Sequence, residues 1–204
     1  MSLDRCLRFS RLCLVLLALA SPAAQGHDTE PATDGADQRV RALFDTLEGD
    51  WAFNARVYSN GKWAQEIGLV TLKRTGPWRL VTRESSRTVQ PDENLANEKE
   101  GGFHDSQKTL QWDAKQQKLV RTAHGRETLF ELAGFGFRSD AQLPAGALAG
   151  IGVGDAVSLK ELFVLMGHDQ FVNNVMATNA SGQVVAQAVV VVTRIDTQVR
   201  KAPL

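Results

Sequence analysis

The apolar segment at residues 183–195, QVVAQAVVVVTRI, constrains the fold more than any other part of the chain. Successive side chains of a strand point to opposite faces, and here both faces are apolar: one carries Ala186 and Ala188, and the other carries Val189. Such a strand needs cover on both faces, and as a free edge it would favour aggregation. An antiparallel sheet loses its edges when it closes on itself, so this segment predicts a β-barrel.

The composition is typical of a soluble globular protein. Of the 204 residues, 43% are hydrophobic and 23% are charged, and 23 basic side chains stand against 23 acidic ones. A chain of this composition buries enough apolar surface to fold, which argues against disorder. A nucleic-acid-binding domain would need a basic excess, so we predict no nucleic-acid partner.

Residues 1–26 have the layout of a secretory signal peptide. Three arginines precede the apolar run at residues 12–20, and small residues follow it. Nine apolar residues at about 1.5 Å each are too short for a bilayer core of roughly 30 Å, so we predict no transmembrane segment. We expect export to the periplasm or the exterior after cleavage. Both cysteines, Cys6 and Cys13, lie in this segment, so the mature chain has no thiol for a disulfide or a metal.

The segment that follows is polar and then becomes helical in pattern. Residues 27–37 predict a disordered leader, and residues 38–204 predict a single barrel domain. Apolar residues spaced i, i+3, i+4 and i+7 predict one short amphipathic helix, which we expect to lie over an outer face of the barrel. These positions are Val40, Leu43, Phe44 and Leu47.

After Gly49 the hydrophobic period falls to about two, which predicts eight to ten strands in an antiparallel up-and-down barrel, an all-β fold. Residues 84–100 predict a long loop, and residues 139–155 predict a second one, rich in small residues, that is either a lid or a plain connection. Residues 157–167 fit a helix as well as a strand, and we favour a strand because the next strand needs a partner. The other strand candidates are residues 51–57, 63–73, 78–83, 101–104, 108–112, 119–124, 128–137, 170–178 and 183–195.

A short motif at the start of the first strand resembles a known signature. Leu47-Glu48-Gly49-Asp50-Trp51 is similar to the Gly-x-Trp motif that opens the barrel of lipocalins and the wider calycin superfamily. The span from residue 43 to residue 194 resembles small exported bacterial lipocalin-like domains of unknown function. The resemblance implies that Trp51 closes the base of the barrel and that Arg194 packs on it. Gly49, Trp51 and Arg194 are therefore predicted structural residues.

Aromatic and cationic side chains of the strands suggest a ligand site. Tryptophan buries a large area, whether in a core or in a pocket, and arginine suits an anionic head group if it points inward. A barrel of about eight strands has room for side chains or for one small ligand. We predict that the protein binds a small hydrophobic or amphipathic molecule, and we assign no oligomeric state. The predicted ligand-binding residues are Trp63, Trp78, Phe103, Trp112, Arg83 and Arg121.

Two other functions stay open from the sequence. One is a hydrolase-type, metal-dependent or haem-dependent enzyme at the barrel mouth, because His104 and His168 each precede an aspartate and imidazole serves as a base or a metal ligand. Adjacent strand residues point to opposite faces, however, so the pattern favours solvent-exposed histidines. We predict no catalytic residue, no metal and no cofactor. The other function is an envelope scaffold or assembly factor with a filled barrel.

Overall fold

The structure, a computed structural model, describes residues 33–59, 61–89, 104–149 and 153–195. Within these residues one α-helix precedes ten β-strands. The helix is α1 (Thr33–Leu47), and the strands are β1 (Gly49–Ser59), β2 (Lys62–Gly76), β3 (Arg79–Val89), β4 (His104–Asp113), β5 (Lys118–Ala123), β6 (Arg126–Ala133), β7 (Gly136–Gln142), β8 (Ala156–Leu165), β9 (Gln170–Asn179) and β10 (Val184–Arg194). A helix long and apolar enough to cross a membrane is not found in these ranges.

The strands form one closed antiparallel barrel in which each strand pairs with the next along the chain. The last strand returns to the first, with Arg194 opposite Trp51 and Val190 opposite Ala55. This confirms the predicted all-β, up-and-down barrel with a short N-terminal helix. Residues 157–165 are strand, as we favoured, and β8 pairs with β7 and β9 on its two sides.

Closure covers only one of the two apolar faces of β10. On the inner face Ala186, Ala188 and Val192 are at most 3% exposed, whereas on the outer face Val191 is 38% exposed and Val189 is half-buried. The expectation that both faces are covered was wrong for the outer one. The hazard of an apolar edge is removed instead by backbone pairing with β1 and β9, because a paired strand has no free hydrogen-bonding edge.

Helix α1 lies across one end of the barrel and not over an outer face. It is tied to the rim at separate points: Trp112 Nε1 donates to Asp37 at 2.7 Å, and Arg39 Nη2 donates to the Gly134 carbonyl at 2.8 Å. Without the helix, the apolar inner faces of the strands would be open to water at this end, so the helix buries its apolar stripe against them. The buried helical residues are Val40, Leu43, Phe44 and Leu47. The helix begins at Thr33, so residues 33–37 of the predicted leader are helical.

Two predicted loops are partly strand. Strand β3 runs to Val89, and β7 runs from Gly136 to Gln142, so the second loop begins only at residue 143. The physical reason is the same in both cases, because the inward residues at these strand ends are polar or small. Ser86 is fully buried and Ser139 is 9% exposed, so the usual apolar alternation is missing from the sequence.

Leu80 on β3 and Leu69 on β2 are the same residue type in opposite surroundings, because Leu80 is 0% exposed and Leu69 is 51% exposed. We expect Leu80→Ala to lower the free energy of unfolding by about 2–5 kcal/mol, because it removes buried methyl groups and leaves a cavity. Leu69→Ala should change it by less than about 0.5 kcal/mol. Urea unfolding followed by circular dichroism measures both values, and equal losses would contradict the inner and outer faces assigned to these strands.

Candidate ligand-binding site

Polar side chains occupy the middle of the barrel, between the end that α1 covers and the opposite end. Two of them lie between apolar residues on the inward face of their strand. On β8 Glu161 lies between Leu159 and Phe163, and on β5 Arg121 lies between Leu119 and Ala123. Because the strand period is two, these side chains point into the interior. We call the charged and amide side chains that meet there the polar belt. Its members are Glu84, Lys108, Arg121, Glu161 and Asn173.

The charges of the polar belt are paired with one another. Lys108 Nζ donates to Glu84 Oε2 at 2.6 Å, and Arg121 Nη1 donates to Glu161 Oε1 at 2.7 Å. Asn173 Nδ2 donates to the same Glu161 oxygen at 2.9 Å. The four charged side chains are at most 9% exposed. An isolated charge in such surroundings would cost several kcal/mol, so each ion pair depends on both partners.

A cavity of about 130 Å³ lies beside the polar belt. At about 30 Å³ for each water it has room for roughly four water molecules or for one aromatic ring, and it is smaller than a typical drug-sized pocket of about 300 Å³ or more. The interior therefore contains unfilled space beside the polar belt. Apolar lining residues include Leu47 of the helix and Phe53, Leu110, Phe163, Val190 and Val192 of the strands.

Several polar atoms beside this cavity are buried and lack a hydrogen bond. Arg121 Nε and Nη2, Glu161 Oε2 and Asn173 Oδ1 have no hydrogen-bond partner within the ranges that the structure describes. A buried donor or acceptor without a partner costs about 1–3 kcal/mol. These atoms belong to three side chains that share hydrogen bonds, so a ligand that bonds to them gains from donors and acceptors held in fixed positions.

A row of aromatic rings forms one wall of the interior. Phe137 stacks on Phe163, with ring centres 4.4 Å apart and an angle of 2° between the ring planes. The ring centres of Phe163 and Phe171 are 4.6 Å apart. Phe171 meets the edge of Trp51 at 5.0 Å, and Phe130 meets Phe137 at 5.0 Å. Contacts of this kind hold rings in fixed positions, so this wall presents a rigid apolar surface to the cavity.

Larger depressions occur on the outside of the barrel. One, of about 770 Å³, is lined by exposed charged residues such as Glu131, Arg138 and Lys160. Another, of about 850 Å³, lies between α1 and the turns that hold Phe135 and Met166. Both are open to solvent. Two of the side chains with buried polar atoms that lack partners, Arg121 and Asn173, line the interior cavity and neither depression, whereas Glu161 lines the cavity and also borders the first depression. We therefore take the interior cavity as the candidate site.

The residues that the sequence predicts as ligand-binding lie in different parts of the structure. Arg121 lines the cavity. Arg83 is exposed on the outer face, because the inward positions of β3 are those of Leu80, Thr82 and Glu84. Phe103 lies outside the described residues.

The three predicted tryptophans do not line the cavity. Trp63 is 48% exposed in the first hairpin, where it packs on Tyr58. Trp78 is half-buried at the rim, under the guanidinium of Arg41 at 4.6 Å. Trp112 is 3% exposed and uses its indole nitrogen to hold α1. All three tryptophans lie at or near strand ends, away from the lining of the cavity.

Sequence reasoning missed Glu84, Lys108, Glu161 and Asn173. One signal was present, because Glu161 interrupts an otherwise apolar alternation in β8. Of the histidines, His104 is half-buried at the start of β4, and His124 and His168 are exposed. Among the residues with described positions, no group of three or more His, Cys, Asp and Glu side chains is arranged to hold a metal ion.

The base of the barrel is held by the contact between Trp51 and Arg194, the packing that the lipocalin resemblance implies. The Arg194 guanidinium lies 4.2 Å from the centre of the Trp51 ring, and it donates hydrogen bonds to the carbonyls of Thr46, Glu48 and His168. These bonds join the end of α1 to the turn between β8 and β9.

Gly49 is required by the same contact. Its φ of +140° lies in a region that other residues rarely adopt, and a Cβ at this position would lie 2.5 Å from Arg194 Nη1.

Comparison with solved structures places this fold among known barrels. The S-type phycobiliprotein lyase CPES from Guillardia theta is similar with a TM-score of 0.54 at 9% identity, over 82% of this chain and 99% of that one. The chain has a lipocalin-like β-barrel fold. Rv2717c from M. tuberculosis has a TM-score of 0.48 and 13% identity, over 83% of this chain and 100% of that one. Lobster apocrustacyanin A1 has a TM-score of 0.39 and 8% identity, over 91% of this chain and 80% of that one. No protein-family model and no curated protein matches the sequence.

Replacement of Arg194 by lysine tests the base of the barrel. Lysine keeps the charge but cannot stack a planar group on Trp51 while it bonds to several carbonyls, so we expect Arg194→Lys to lower the free energy of unfolding by about 1–3 kcal/mol. Arg56→Lys is the matched control, because Arg56 lies 5.2 Å from the ring centre of the exposed Trp63. It should change stability by less than about 0.5 kcal/mol. Thermal unfolding measures the stability of both variants. An Arg194→Lys protein as stable as the wild type would contradict the role of Arg194 at the base of the barrel.

Proposed function

We propose that this protein binds a small apolar or amphipathic molecule, without covalent chemistry, in the interior of its barrel. The observation that carries the proposal is the cavity of about 130 Å³, with an apolar wall on one side and buried polar atoms without partners on the other. A protein whose interior served packing alone would gain stability by filling this space with apolar side chains. A largely pre-formed pocket of this kind takes up a ligand at low conformational cost.

The size of the cavity sets the affinity that apolar burial alone supplies. A single aromatic ring buries about 150–250 Å² of surface, which is worth roughly 4–6 kcal/mol at about 25 cal/mol per Å². Association costs at least about 4 kcal/mol, so a plain hydrocarbon ring binds weakly, with a Kd of about a millimolar or higher. Hydrogen bonds to Arg121, Glu161 and Asn173 supply the additional affinity for a ligand with a polar group.

We also propose that the protein acts outside the cytoplasm, after loss of residues 1–26. The support is the order of basic, apolar and small residues in that segment. Intact-mass spectrometry of protein purified from its native envelope should give the mass of a chain that begins between residues 21 and 27. The same spectrum, recorded under native conditions, should show any small molecule that stays bound. The mass of all 204 residues in envelope material would contradict export with cleavage.

Filling the cavity tests the binding function. Val190 lines the cavity, whereas Val189, its neighbour on β10, points to the outside. We expect Val190→Phe to abolish binding of toluene and benzyl alcohol, because the new ring occupies their space, and Val189→Phe to leave binding unchanged. Saturation-transfer nuclear magnetic resonance measures binding, and circular dichroism checks the fold. Leu110→Phe is a second filling variant. Binding that survives in both filling variants would place the ligand elsewhere.

A further inference from the structure

We propose that the cavity selects a one-ring molecule whose polar group is uncharged and both donates and accepts hydrogen bonds, such as a primary amide. This inference rests on the proposed binding function and names its ligand class. It follows from the juxtaposition, beside one small cavity, of the free donors of Arg121 with the free acceptors of Glu161 and Asn173.

The polar belt is electrically balanced without a ligand. It holds two carboxylates, Glu84 and Glu161, and two cations, Lys108 and Arg121, each in direct contact with its opposite. A charged ligand would add an uncompensated charge to a buried site, where charge is strongly disfavoured. A further buried carboxylate, Glu66, does not line the cavity, and it accepts a hydrogen bond from Ser86 Oγ at 2.5 Å. The site therefore disfavours both signs of ligand charge.

The free atoms require both a donor and an acceptor from the ligand. Arg121 uses Nη1 on Glu161 and leaves Nε and Nη2 as donors. Glu161 leaves Oε2 as an acceptor, and Asn173 leaves Oδ1, whose orientation is set because Nδ2 already bonds to Glu161. The carbonyl of an amide accepts from Arg121, and its NH₂ group donates to Glu161 or Asn173. A carboxylate offers acceptors only, and an amidinium offers donors only, so each leaves part of the site unsatisfied.

The remainder of the ligand is limited to about one ring. The cavity volume of about 130 Å³ is close to that of an apolar protein cavity that binds benzene. Phe53, Leu110 and Val192 line it with apolar surface away from the polar belt. A long acyl chain would need a larger space than this cavity provides.

A set of probes with one shape and different charge tests the inference. Benzamide, benzoate, benzamidinium and toluene differ at a single substituent, and isothermal titration near neutral pH measures their affinities for the full-length protein. We expect benzamide to bind at least about tenfold more tightly than each of the other three. If benzoate, benzamidinium or toluene binds as well as benzamide, the inference is wrong and the proposed binding function stands. If none of the four probes binds, the proposed function itself fails.

A change of one carboxylate should redirect this selectivity. Glu161→Gln leaves the charge of Arg121 uncompensated, so the affinity ratio of benzoate to benzamide should rise by at least about tenfold. Asp140→Asn is the matched control: it removes a carboxylate that is 59% exposed on the outside of the barrel, beside Lys160, and should leave the ratio unchanged.

A second variant changes the charge in the opposite direction and covers the case in which Glu161→Gln fails to fold. Arg121→Gln removes a cation from the polar belt and leaves the charge of Glu161 uncompensated, so it should raise the affinity ratio of benzamidinium to benzamide by at least about tenfold. Circular dichroism checks that each variant is folded. If the affinities of benzoate and benzamidinium relative to benzamide stay at their wild-type values in every folded variant of the polar belt, the inference is wrong.

Discussion

Backbone pairing between β1 and β10 is the interaction on which the rest of the structure depends. It places Trp51 opposite Arg194 and turns a sheet with two edges into a closed wall. Closure of the sheet encloses an interior, in which the inward side chains of all ten strands face one another. The open end left by closure is the apolar surface that α1 covers, and Arg194 joins the helix end to that wall through the carbonyls of Thr46 and Glu48.

The polar belt is costly for a protein that needs only to be stable. Buried ion pairs contribute little net stability, and apolar side chains of similar volume are often as good or better. Polar atoms left without partners add a further cost, here at Arg121, Glu161 and Asn173. This cost, next to an unfilled cavity, supports the proposed recognition of a small molecule, because the same atoms give orientation and selectivity when a ligand bonds to them.

The sequence was sufficient to predict the barrel, because the two-residue period of its strands is a local signal. Residues 183–195 alternate with two apolar faces, and Gly49 and Trp51 form a short motif. The ends of β3 and the start of the loop after β7 were predicted wrongly because inward residues such as Ser86 and Ser139 do not look apolar. The position of α1 was also wrong, since a hydrophobic stripe shows that a helix is covered but does not show by which surface.

Arg121 shows most clearly what a sequence leaves open. Read alone, an inward arginine suggests an anionic ligand, and the sequence identified it as a candidate for that reason. In the structure its guanidinium bonds to Glu161, which is 40 positions away on a strand that does not neighbour its own. The pairing depends on closure of the whole barrel and has no local signature. It neutralises the arginine, and what remains at the site is a set of directed donors and acceptors rather than a positive charge.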